Sequence, residues 1–172
     1  MAHSVARDDI LRVVSLVEVD ETQVRAAATE WFRDNWDPER SLRDWWMELA
    51  RSGWGFPTWP TSWFGRGLPA NLSHAVADAR RSVGALGPPA GIAQNLAGPT
   101  ILAHGTEEQK QRFLPGIVGG EIWCQLFSEP GAGSDLASIQ TRAELDGDEW
   151  VVDGQKVWTS GAHVARLGIL IA

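Results

Sequence analysis

Two stretches of this chain place reactive or ligand-holding residue types at informative spacing. Residues 123–136 read WCQLFSEPGAGSDL, an apolar run that enters a loop holding two glycines, one proline and two hydroxyls. Glycines let successive backbone amides turn toward an anion without a clashing Cβ, so Glu129 to Asp135 is a candidate anion-binding nest. A plainer reading is a tight turn satisfied by Ser134 and Asp135, since the loop matches neither a dinucleotide fingerprint nor a P-loop. Residues 154–161 read GQKVWTSG, an indole followed by two hydroxyls at the end of an expected strand. Trp158 could stack on a planar ring while Thr159 or Ser160 bonds its edge, or it could be a core indole beside a turn.

The elements that must position these stretches change character along the chain. Asp20 with Gln23 three residues on predicts a helix start, and Val24, Ala27, Ala28, Trp31 and Phe32 then recur on one face. Asp37 before Pro38 predicts a second helix with a stripe of Leu42, Trp45, Trp46 and Leu49, closed by Gly53. The Gly-, Pro- and Trp-rich segment 53–67 has no period and is expected to be a loop held by packed indoles. Further helices are expected over 72–86 and 91–104. Thr106 and Gln109 form a capping box for another, which Pro115 should end. After Gly120 the pattern turns to strands: a buried run at 122–128 and a half-buried alternation at 139–145. Asp146-Gly147 and Asp153-Gly154 are expected as hairpin turns. Residues 167–172 look like a buried strand without a partner, which suggests that the sequence stops inside a domain.

Fold class follows from that order. Helices segregated from strands suggest an α+β multi-domain chain. An all-α N-terminal domain over residues 1–120 would precede an antiparallel β domain that is incomplete over 121–172.

Composition narrows the partners. Fifteen basic and 22 acidic residues among 172 give a net charge of -7, which disfavours general electrostatic binding to nucleic acid. The single cysteine, Cys124, rules out an internal disulfide and reads as a small core residue. His3, His74, His104 and His163 lack ligand spacing, so no metal is expected. The apolar stretch at 10–17 is interrupted by Arg12 and is no secretory signal. The longest apolar run elsewhere is too short to span a bilayer, and the chain reads as soluble and cytoplasmic. Ten of the aromatic residues are Trp and none is Tyr.

The two stretches, with the Asp-Gly turn between them, resemble the acyl-CoA dehydrogenase family, whose Glu-Pro-Gly-Ala-Gly-Ser-Asp loop and Lys-x-Trp segment face the flavin of FAD. The resemblance continues through residues 95–100, 104–110 and 112–115 and covers roughly 40–172. It implies an N-terminal α domain, a middle β-barrel and a C-terminal helical bundle that these residues do not include. On this resemblance Phe127 and Ser128 match positions whose backbone and hydroxyl meet the pyrimidine edge of the flavin, with Gln125 just before them also counted as cofactor-binding, and Ser134 matches a serine touching both cofactor and acyl-CoA. Trp158 matches the indole packed on the flavin, with Thr159 and Ser160 following it. The family mostly has threonine at 128 and 160; serine keeps the donor. Glu129 matches a structural loop glutamate, because the family's catalytic base is a glutamate of the C-terminal domain, and no catalytic residue is assigned here. The implied reaction is α,β-dehydrogenation of an acyl-CoA thioester to the trans-2-enoyl-CoA, with electrons passed to an electron-transfer flavoprotein by an oligomeric enzyme of lipid or steroid catabolism.

Departures from the family pattern fall in residues 59–65, WPTSWFG, where Ser62 replaces a usual acid and Phe64 a usual glycine. A phenylalanine at a glycine position either has negative φ or is strained. Arg166 and Leu167 stand near a common Ala-Asp-Trp. Two other readings stay open: a flavin oxidase or monooxygenase of the same fold, and a Trp-rich non-catalytic subunit. Exposed indoles between Trp31 and Trp63 would favour the latter.

Overall fold

The structure is a computed structural model, and it describes residues 20–172. The N-terminal stretch around 10–17 and His3 lie outside the described residues. Helix α1 (Glu21–Asn35) starts where Asp20 accepts a hydrogen bond from Thr22 N at 2.9 Å, satisfying one of the free amides of the first turn. Val24, Ala28 and Phe32 are its buried residues, while Ala27 lies exposed off that face.

Helix α2 (Leu42–Ser52) is capped by Ser41, not by Asp37. Asp37 instead holds a turn, its carboxylate accepting from Glu39 N at 2.9 Å and its carbonyl from Arg40 N at 3.2 Å. An aspartate can cap a turn or a helix, and the hydroxyl nearer the apolar stripe takes the helix. Gly53 ends α2 in the left-handed region at φ +79, the conformation a C-terminal stop favours for glycine. Helix α3 (Ser73–Val83) follows one turn of 3-10 helix. A π-turn at Ala93–Ala97 leads into α4 (Gly98–His104).

Helix α5 (Glu107–Val118) has the full capping box of Thr106 and Gln109 and runs through Pro115. The proline removes the donor that would reach the carbonyl of residue 111. Gln111 and Pro115 are both exposed, so water can satisfy that carbonyl and the helix continues.

Two cores result. Phe32, Trp45 and Leu49 centre one among α1, α2 and α3, while Trp59, Leu114, Ile117 and Trp123 centre another around α4 and α5. Within the first, Trp45 donates its indole N–H to Leu86 O at 3.0 Å. Trp45, Trp54 and Trp59 are buried, and Trp31, Trp36, Trp46 and Trp63 are half-buried. The tryptophans between 31 and 63 therefore pack the helices and the loop.

Strand β1 (Trp123–Leu126) follows α5 directly. Strands β2 (Arg142–Asp146) and β3 (Glu149–Asp153) form an antiparallel hairpin around Gly147, and β4 (Leu167–Leu170) pairs parallel with β1, Trp123 opposite Leu167. Strands β1 and β4 thus correct two expectations, since one of the two sheets is parallel and the segment from Leu167 does have a partner. Both sheets are two-stranded, and no closed barrel is formed among the described residues. The alternation expected at 139–145 holds at its start, where Ile139 is half-buried and Thr141 buried with Gln140 and Arg142 exposed, but not at Ala143 and Leu145, because every residue of β2 and β3 is exposed.

Candidate functional site

The site is built where the ends of β1 and the segment after β3 meet. Ser128 O accepts from Val157 N at 2.9 Å, and the Lys156 ammonium donates to Phe127 O at 3.0 Å. Two stretches far apart in sequence therefore lie side by side: 127–129 on one, 156–158 on the other.

Glu129 anchors them. Its carboxylate accepts from Gln140 N (2.7 Å), Thr141 N (2.9 Å), Thr141 Oγ1 (2.5 Å) and Lys156 Nζ (2.9 Å). Both partners of the ion pair are buried, each side chain 8% exposed. The Thr141 hydroxyl first, then Lys156 and the backbone amides, stabilise the charged form and pull the carboxyl down from the usual 4.5 to about 2. Here the loop supplies an anion rather than receiving one, and the consecutive amides of Gln140 and Thr141 bind it. The turn itself is closed by its own backbone, Glu129 N to Ala132 O at 2.7 Å and Ala132 N to Glu129 O at 3.2 Å, and not by Ser134 with Asp135. Asp135 instead accepts from the Ser138 hydroxyl.

Gly154 explains why Asp153-Gly154 is no hairpin turn. A Cβ there would come within 2.8 Å of Thr141 Cα, so the glycine lets the chain leaving β3 cross directly over Thr141 toward Lys156.

Trp158 comes next, with φ +58 and 90% of its surface exposed. A bulky side chain in the left-handed region costs on the order of 1–3 kcal/mol, and such strain clusters at binding sites. An exposed indole gains nothing from core packing to offset that cost. Thr159 follows with its hydroxyl buried and without a hydrogen-bond partner, another cost that a ligand atom could remove. Ser160 is exposed beyond it.

The structure thus brings Phe127, Ser128, Trp158 and Thr159 into one neighbourhood. Gln125 is exposed on β1 opposite Ile169, and Ser134 is exposed farther along the loop. Lys156 is the residue that reading the sequence left without a role. No local spacing marks it, because its partners Phe127 and Glu129 lie 29 and 27 residues away in the sequence. Phe64 is strained, with φ +61. Cys124 is buried in β1, while His74 lies 3.2 Å from Glu21, His104 ends α4 and His163 is exposed.

A second concavity of about 320 Å³ lies between α4, α5 and β4, lined mainly by Ile101, Phe113, Trp123 and Ile169. The Trp123 indole donates to Glu121 at 2.9 Å, and Glu121 also pairs with Arg166 at 3.1 Å. That triad ties the end of α5 to the start of β4.

Comparison with known proteins matches residues 15–121 to the model of the acyl-CoA dehydrogenase N-terminal domain and 124–172 to that of the middle domain. A curated relative, the acyl-CoA dehydrogenase IpdE1 of Mycobacterium tuberculosis, is 47% identical over 139 residues, covering 76% of this chain and 34% of its own length. Among solved structures, the ChsE4-ChsE5 complex of Mycobacterium tuberculosis matches with TM-score 0.59 at 36% identity, over 87% of this chain and 41% of that one. The Tcur3481-Tcur3483 steroid ACAD matches with TM-score 0.58 at 35% identity, over 87% and 42%. The chain spans about a third of the length of the first of these relatives.

Proposed function

The chain belongs to the acyl-CoA dehydrogenase family, and from that premise we propose that residues 125–128 and 158–160 form one wall of an FAD site for α,β-dehydrogenation of an acyl-CoA thioester. The observation that carries this reading is the pairing of Val157 N with Ser128 O at 2.9 Å, which sets the two matching segments against each other.

The residues present fit a flavin. Trp158 offers a bare ring face, the Thr159 hydroxyl is buried without a partner, and the Phe127–Ser128 backbone is fixed from behind. Bound FAD would supply the acceptor for the β hydride. The chain's own contribution would be to hold and orient it: Trp158 would pack on the ring, Phe127 and Ser128, with Gln125 just before them, would meet its pyrimidine edge, and one hydroxyl of Thr159 or Ser160 would donate at the ring's reacting side. Ser134 would contact cofactor and acyl-CoA. No residue of this chain is assigned the α-proton base; Glu129 is unsuited to it, because its carboxylate is already occupied by four donors. In the family the base belongs to a C-terminal helical domain, so residues 1–120 and 121–172 are proposed as an N-terminal helical domain and part of a middle β-barrel.

Electron-transfer flavoprotein is the proposed electron acceptor. The heteromeric neighbour and the steroid ACAD favour a multi-subunit enzyme of lipid or steroid catabolism, and the cytoplasm is its proposed compartment. No helix among the described residues is long and apolar enough to cross a membrane. The Trp-rich subunit reading loses its ground, since the indoles from 31 to 63 are packed.

Titration with FAD tests the proposal. Flavin absorbance should co-elute with the chain, and Trp158→Ala should weaken binding by about tenfold, the worth of one aromatic stack. Equal binding by wild type and Trp158→Ala would overturn the assignment.

A further inference from the structure

The geometry points to Lys156 as a positioning residue that, with Glu129, clamps three chain segments so that Trp158 is held in its left-handed, outward conformation. The inference deepens the flavin reading and rests on it only for what Trp158 meets.

The ammonium lies between two acceptors on one segment, Phe127 O at 3.0 Å and Glu129 Oε1 at 2.9 Å. That same Oε1 takes the Thr141 amide and hydroxyl, and Oε2 takes the Gln140 amide at 2.7 Å. One buried ion pair therefore fixes the strand end at 127–129, the start of the hairpin at 140–141 and the backbone two residues before Trp158. Each additional anchor on this crossing is local: Gly154 packs on Thr141, and Val157 N bonds Ser128 O. Trp158 itself is 90% exposed. Its φ is restrained through the backbone on both sides: by residues 156 and 157 before it, and by the turn after it, where Thr159 O accepts from Ala162 N at 3.3 Å; the clamp acts on the first of these. A positive φ at an exposed tryptophan relaxes toward the common negative region once the preceding residue is free to turn. The charge matters as well as the length: removing either partner leaves the other charge buried and unpaired, which is why the two should behave as a unit.

The test labels the whole chain with 5-fluorotryptophan and follows the fluorine resonances, the Trp158 signal being identified by its loss in Trp158→Phe. Lys156→Met and Glu129→Gln should each shift or broaden the Trp158 signal while leaving those of buried Trp45 and Trp54 in place. The double variant should do no more than either single one, and Lys156→Arg, which keeps the charge and the donors, should restore much of the wild-type signal. In parallel, the FAD dissociation constant should rise about tenfold in Lys156→Met. An unmoved Trp158 resonance in Lys156→Met, or additive effects in the double variant, overturns the clamp. If Trp158 moves while FAD binding is the same in wild type and variant, the positioning role is overturned and the pair is merely structural. A wild-type chain that binds no FAD while Lys156→Met still moves Trp158 counts against the flavin reading and leaves the clamp standing.

Should the variants fail to fold, hydrogen exchange on the unaltered chain decides. The amides of Gln140, Thr141 and Val157 should open together, more slowly than those of β2 and β3; independent opening, with Val157 as fast as the hairpin, overturns the proposal.

Discussion

Glu129 shows how much chemistry a single side chain can lose to structure. With its pKa drawn from the usual 4.5 down to about 2, the folded form binds a proton less readily than the unfolded form. Its contribution to stability is therefore complete above about pH 4.5 and disappears as the pH falls toward 2. Acid unfolding followed by circular dichroism should show that slope, and Glu129→Gln should flatten it. Thr141→Val removes the donor with the largest effect, so the carboxyl should titrate closer to 4.5 in that variant, as carbon-detected NMR of the Glu129 carboxyl would show. At this scale the structural nature of the loop glutamate was legible through motif alone, and the same motif names the cofactor-facing residues proposed above. It could not disclose Lys156, because a flexible four-carbon stem reaches acceptors that only the fold brings near. The strain at Phe64 was legible as one of two alternatives, and φ +61 selects between them.

Among the elements, the helix ends were legible wherever a local rule had no competitor. The Thr106–Gln109 box and the Gly53 stop are local chemistry, and both formed. The Asp37-Pro38 start competed with a turn and lost to Ser41, and the Pro115 stop lost to the packing of Leu114, Ile117 and Val118 in the second core. Two variants probe these outcomes. Gly53→Ala places a Cβ at φ +79 within 2.7 Å of Gly65 O, and it should destabilise the chain by about 1–3 kcal/mol in urea denaturation. Pro115→Ala restores a donor to an exposed helix interior and should raise stability by about 1 kcal/mol, a shift of about 2–4 °C in melting temperature.

For the molecule as a whole, the split between helices and strands could be seen in the period of the apolar residues, whereas strand direction could not. Pairing β1 parallel to β4 is a long-range choice that leaves no mark within either four-residue segment. The hairpin is the opposite case: its turn was plain in Asp146-Gly147, yet its alternation implied a buried face that the described residues continue only as far as Thr141. Leu145 and Trp150 are 60% and 66% exposed, and an isolated two-stranded hairpin is marginal in water. Amides of β2 and β3 should accordingly exchange far faster than those of α5, and Trp150→Lys should raise the concentration at which the chain aggregates, measured by light scattering.

The parallel pair also sets an order of assembly. The paired residues stand at 123 and 167, with the whole hairpin between them, so this loop closes over a separation comparable to the 53 residues between Arg25 and Asp78 that join α1 to α3. As the chain leaves the ribosome, α1 to α5 can pack before β4 has been made. Meanwhile β1 carries an unpaired edge, held in place by Trp123, which packs in the second core and against Phe113 and bonds through its indole to Glu121. In kinetic terms the Trp123 indole is a placeholder, keeping the first strand docked until its partner arrives.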